Sequence, residues 1–168
     1  REGVTTTLNK EKLMSTRCVI AKKNSDGSFR AVYSHWDGYP EHNGRVLLSN
    51  YSDVNKLNSL LDEGDISVLR ETVGEKHDFG ETPGLANKNE WTTFYGRDRG
   101  EKNIEACTFE TLDELIAAAK ERWSIYVYVL DALDAAFDGS WSFNRCSMDG
   151  DLQDLEAYLR QVDLEESA

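Results

Sequence analysis

Two short stretches gather the side chains best able to do chemistry. One is His35-Trp36-Asp37-Gly38-Tyr39-Pro40, and the other is Tyr95-Gly96-Arg97-Asp98-Arg99-Gly100-Glu101. Imidazole titrates near neutrality, so His35 is a candidate general acid or base, and Asp37 is a candidate to orient it. Arg97 and Arg99 are candidates to grip a phosphate or carboxylate through paired hydrogen bonds. Trp36, Tyr39, Tyr95, Asp98 and Glu101 complete the candidate ligand-binding set. Each stretch also has a plainer reading. Trp36, Tyr39 and Pro40 would pack a tight turn, Asp37-Gly38 is ordinary turn chemistry, and an Arg-Asp-Arg run readily forms local ion pairs. His35, Asp37, His42, His77 and Asp78 match no zinc or calcium spacing. The chain has no G-x-S-x-G, H-E-x-x-H or phosphate-loop signature. No metal and no cofactor is expected.

The elements that must position these residues are legible in part. Cys18, Val19, Ile20 and Ala21, within Arg17 to Lys23, read as a buried strand. Asn24-Ser25-Asp26-Gly27 is a turn signal, and Phe29 to Trp36 alternates, with Phe29, Ala31, Tyr33 and His35 on one face. Together they predict a β-hairpin. Val46, Leu47 and Tyr51 have helical spacing, and Val54, Leu57, Leu60 and Leu61 continue it after a break at Ser52-Asp53, up to Gly64. Glu71 to Glu90 reads as a long polar loop, Trp91 to Tyr95 as a strand, and Gly96 to Asn103 as a charged loop. Thr111-Leu112-Asp113-Glu114 is a capping box opening a helix with Leu112, Leu115, Ile116 and Ala119 on its inner face. Ile125 to Val129 is the clearest strand, with Ser140 to Phe143 as its partner. A closing helix is expected from about Leu152, with Leu155, Leu159 and Val162 on one stripe.

Strands in pairs, with helices inserted as blocks, predict an α+β fold: an antiparallel sheet built from hairpins and covered by helices. Residues 14–168 are expected to form one domain. Residues 1–13 are expected to be a disordered leader or an expression remnant, because Lys10-Glu11-Lys12 would fit a purine-rich ribosome-binding run before Met14. The three cysteines form no C-x-x-C pair and are expected to be reduced. No apolar run approaches a membrane span and the start is no secretory signal, so a cytoplasmic location and no membrane partner are expected.

The net charge is −12, and it is uneven: residues 110–168 hold 14 acidic and four basic side chains. Such a surface disfavours direct nucleic-acid binding, while an acidic face could compete with DNA for a basic groove on another protein.

Ser15-Thr16-Arg17, His35 to Pro40, Gly64-Asp65-Ile66-Ser67 and Tyr95 to Glu101 resemble a group of small phage and prophage proteins. The likeness covers roughly Met14 to Phe143. It implies a phage or prophage origin and a product of the bacterial host cytoplasm, and it carries over no catalytic residue. The reading that follows is an accessory binding protein that engages a host protein or a small nucleotide signal, with counter-defence as one version. A small enzyme acting on a nucleotide or phosphate ester is the alternative, and a minor virion or assembly component is a third. The sequence carries no signature of oligomeric state.

Overall fold

Cys18-Val19-Ile20-Ala21 is apolar at every position because strand β1 (Arg17–Lys23) is buried on both faces. The computed structural model describes residues 16–79, 90–146 and 151–168. The expected leader at 1–13 lies outside them, as do residues 80–89 of the polar loop. The fold is α+β, with four α-helices and eight strands among the described residues. After β1 come β2 (Phe29–Ser34), β3 (Ile66–Val68), β4 (Thr93–Phe94), β5 (Cys107–Phe109), β6 (Ser124–Asp131), β7 (Ser140–Arg145) and β8 (Gln153–Asp154). The helices are α1 (Arg45–Asn50), which continues a π-helical turn at Pro40–Gly44, then α2 (Val54–Asp62), α3 (Leu112–Glu121) and α4 (Leu155–Glu166).

The eight strands make one sheet in the order β4-β3-β2-β1-β6-β7-β8, with β5 also paired to β2. The sheet is mostly antiparallel, and the β1–β2 and β6–β7 hairpins form as expected. It departs from a purely antiparallel plan at two junctions, β1 with β6 and β2 with β3, which are parallel. Parallel neighbours need a long crossover. The chain between β2 and β3 supplies one in α1 and α2.

Alternation along the strands feeds two cores. Cys18, Ile20, Val32, Tyr128, Leu130 and Phe143 point into the larger, with Leu47, Leu57, Leu61, Leu155 and Leu159 from the helices. Val19, Ala21, Phe29, Ala31, Val127 and Val129 meet Leu115 and Ala119 of α3 on the other face. Three side chains cap the helices: Asp53 accepts from the Asn55 and Lys56 amides, Thr111 from Glu114, and Asp154 from Ala157. The Glu114 carboxylate reaches back to the Glu110 amide at 3.1 Å, one residue earlier than the usual box. The last helix begins at Leu155 rather than Leu152. Leu152 packs instead against the α3-side core, and the intervening Gln153–Asp154 pairs with β7.

The outer edge of β2 is divided. Phe29 to Ala31 pairs with β5, while Ser34 pairs with β3. Between them the Tyr33 amide donates to a side chain, Asp65 Oδ1, at 2.9 Å. Cys18 and Cys146 are buried and Cys107 is exposed, all three as free thiols. Burial pushes the Cys18 thiol up to about 12. Among the described residues, no helix is long and apolar enough to cross a membrane.

Candidate functional site

Strand register decides which polar side chains share a face. Cys18 pairs with Ser34, Ser34 with Ile66, and Ile66 with Phe94, a fully buried row on the larger core's side. Alternation turns the residues one step away to the opposite face, with irregular pairing between Arg17 and Cys18 and between Ile66 and Val68. On one side of that row lie Tyr33, Asp65 and Tyr95, linked by Tyr33 N–H to Asp65 Oδ1 and by Tyr95 N–H to the Asp65 carbonyl at 3.2 Å. On the other lie Arg17, His35 and Ser67, with the His35 and Trp36 amides donating to the Ile66 and Ser67 carbonyls. This is the face that α3 covers elsewhere. The helix stops at Glu121, and Arg122 at its end stacks 4.1 Å from the Tyr33 ring centroid and bonds Asp65 Oδ2 at 3.2 Å.

Beyond α3 there is therefore a polar sheet face with two arginines, two tyrosines, a histidine and a buried carboxyl. Tyr33 Oη lies 2.7 Å from His35 Nδ1. Burial holds the phenol's pKa above its ordinary value, so it keeps its proton. Burial, reinforced by the charge of Arg17, holds His35 below the usual imidazole range and so neutral. Tyr95 is also raised by burial, against a hydrogen bond from Ser67. Among the described residues, no carboxylate lies within ion-pair distance of Arg17.

Two of the residues expected from sequence stand in this face and three on its rim. His35 and Tyr95 belong to it. Trp36 meets the His35 ring edge-on at 4.5 Å and is 37% exposed. Arg99 pairs with Glu101 at 3.2 Å and lies over Phe79, whose ring is 5.7 Å from that of Tyr95. The others serve the chain itself. Asp37 faces His42, with Oδ2 to Nε2 at 3.9 Å, and Tyr39 packs on the same ring. Arg97 donates to the Val73, Gly74 and Thr92 carbonyls and to Asp98. Asp98 also accepts from the Phe94 and His77 amides. The two stretches thus converge through His35 and Tyr95, while Arg97 and Asp98 pin the preceding loop. Gly38 explains the small residue in the first stretch: a Cβ there would come 2.8 Å from that of Cys18. The Gly38 carbonyl accepts from the buried Tyr128 hydroxyl at 2.6 Å.

Arg17, Tyr33, Asp65, Ser67 and Arg122 were not singled out as site residues by the sequence reading. A signal existed for four of them. Tyr33 shares the alternating face of His35, and Arg17, Asp65 and Ser67 fall within the quoted stretches of the phage-protein resemblance. Among the described residues, no group of three or more His, Cys, Asp or Glu is placed to hold a metal. The arrangement offers cationic and neutral donors to an anion.

The Asp65 carboxyl has a testable consequence. Burial raises its pKa, outweighing the Tyr33 amide and Arg122, which both lower it. The stability it contributes is therefore fully present below the unfolded carboxyl's value, about 3.9, and is lost as pH rises through the native value. In Asp65→Asn, which keeps an acceptor for the Tyr33 amide, that loss is absent. Urea unfolding should show wild type faring better against the variant at pH 3.5 than at pH 7. A difference that is flat or grows with pH would count against this account.

No protein-family model, curated protein or solved structure matches this chain.

Proposed function

We propose that this protein is a phage-type accessory binding protein whose polar sheet face takes a small phosphorylated ligand by its phosphate. Nucleotides, the class expected from sequence, are one group of such ligands, and sequestering a nucleotide signal is the counter-defence version of this reading. The observation that carries it is the setting of Arg17. Arg17 begins strand β1, one residue before Cys18, the partner of Ser34, and among the described residues no carboxylate lies within ion-pair distance of it. With the half-exposed Arg122 on the far side of Tyr33, an incoming phosphate would meet two cations and the imidazole of His35. Charge-assisted bonds of this kind are about twice as strong as neutral ones.

The enzymatic alternative needs His35, Asp37 and the arginine clamp around one phosphate. Asp37 is turned to His42, and Arg97 is engaged by carbonyls, so the geometry favours capture over turnover.

Calorimetric titration with inorganic phosphate and nucleoside monophosphates tests the reading. A ligand at 100 times its Kd should stabilise the fold by about 2.7 kcal/mol. Arg17→Glu is expected to weaken phosphate binding about 30-fold, the worth of a charged hydrogen bond. Absence of binding at millimolar concentration, or an Arg17→Glu protein that binds as well as wild type, would remove the proposal.

A further inference from the structure

A cleft of about 90 Å³ runs from the polar face into the seam between α3 and strands β2 and β5. Its walls are apolar, contributed by Val19, Ala31, Phe109, Leu115, Ala118 and Ala119. Tyr33, Asp65, Glu105 and Arg122 also line it, and Tyr33, Asp65 and Arg122 belong to the candidate phosphate site as well. The cleft and the polar face are therefore one continuous surface, polar on the exposed side and apolar beneath the helix.

Resting on the phosphate reading above, we infer that this cleft is a second subsite for the same ligand, which is a phosphate ester carrying a short aliphatic arm. The phosphate lies against Arg17 and Arg122, and the arm passes Tyr33 into the seam under α3. Size sets the chemistry of the arm. A dry apolar cavity of roughly 150 Å³ admits benzene. The present cleft is well below that, so it suits a chain of a few carbons rather than an aromatic ring. Nucleotides would then bind through their phosphate alone, with the ribose and base left outside. The Asp65–Arg122 pair fixes the order of the two parts, because an anion directed into the cleft would meet the Asp65 carboxyl.

The test uses the intact chain with inorganic phosphate, methyl, ethyl, n-propyl and n-hexyl phosphate, and a nucleoside monophosphate as probes. Affinity is expected to rise about fourfold per carbon buried. That is on the order of 50-fold from inorganic phosphate to n-propyl phosphate, with no further gain at n-hexyl. Ala118→Leu, which fills the cleft, is expected to bring n-propyl phosphate down to the affinity of inorganic phosphate. A second readout works on the unmutated protein. Cys107 lines the cleft and is the exposed thiol, whereas Cys18 and Cys146 are buried. Its alkylation by iodoacetamide should be slowed by n-propyl phosphate and left unchanged by inorganic phosphate. Phosphate binding with no dependence on the arm and no protection of Cys107 would overturn the cleft assignment and leave the phosphate site standing. Failure of every probe to bind would overturn both.

Discussion

Asp98→Ala is expected to cost about 4 kcal/mol of folding stability, which is what removing one partner of a buried pair costs. The carboxylate is fully buried. It accepts from the Phe94 amide at 2.8 Å, the His77 amide at 3.0 Å, and Arg97 Nε at 3.0 Å and Nη2 at 3.2 Å. Alanine would leave two amides and a cation without this acceptor at a site that water does not reach. Folding free energies of single domains are about 5–15 kcal/mol, so the loss is a large share of the whole. For a chain of this length it corresponds to a drop in Tm of roughly 8–16 °C. Asp98→Asn keeps one good acceptor and should lose about half as much.

The pH dependence follows from the same contacts. Burial pushes the Asp98 carboxyl up, but the bonds from Arg97 and the two amides outweigh it, and the net value is lowered. A lowered carboxyl contributes stability that is present above the unfolded value and lost as pH falls through the native one. The gap between wild type and Asp98→Ala should therefore narrow in acid. Urea melts from pH 7 to pH 3 measure both effects, and a loss below 1 kcal/mol at pH 7 would refute the assignment.

Gly64→Ala is the second large effect, and it acts through the backbone. Gly64 follows α2 at φ +81, where a side chain is strained by about 1–2 kcal/mol. An added Cβ would also come within 2.3 Å of the Ile104 carbonyl oxygen and 2.7 Å of its Cδ1. That carbonyl accepts from the Asp65 amide at 2.8 Å, so it cannot retreat without giving up the bond. Strain plus overpacking suggests about 2–5 kcal/mol in total. Because Asp65 and Ile66 follow directly, the damage should spread to the candidate site. The amide resonances of Tyr33, His35 and Tyr95 should move in a spectrum of the folded variant, while those of β6 and β7 stay in place. A variant within 1 kcal/mol of wild type would contradict the close approach.

Legibility in the sequence followed the length and regularity of each element. The β1–β2 hairpin was readable because six consecutive pairs obey one alternation. The α3 capping box and the Asp53 cap were readable because caps are local chemistry. Strands β3 and β5 have three residues each, too few for any period to show, whereas the two residues of β4 fall inside the Trp91–Tyr95 stretch that reads as a strand. Strands β3 and β5 owe their existence to the edge of β2 rather than to their own propensity. The parallel junctions follow from them and from the α3–β6 crossover, so these too were hidden. The candidate site divided in the same way. His35 and Tyr95 stood out by residue type. Arg17 and Asp65 did not, because an arginine at a strand end and an aspartate after a glycine look like solvated surface until register sets them beside the tyrosines. Arg97 misled in the opposite direction: its chemistry is real, but it is spent on three carbonyls and one carboxylate within the same region.

The divided edge of β2 bears on how the molecule comes apart. Where β5 ends and β3 has not yet begun, the Tyr33 amide is held by a carboxyl group in place of a neighbouring strand. Asp65 therefore acts as a splice across a gap in the ladder, and Arg122, bound to its other oxygen, ties that splice to the end of α3. An anion that drew Arg122 outward would loosen the splice. The same event would unfasten the sheet margin on one side and the tail of a helix on the other.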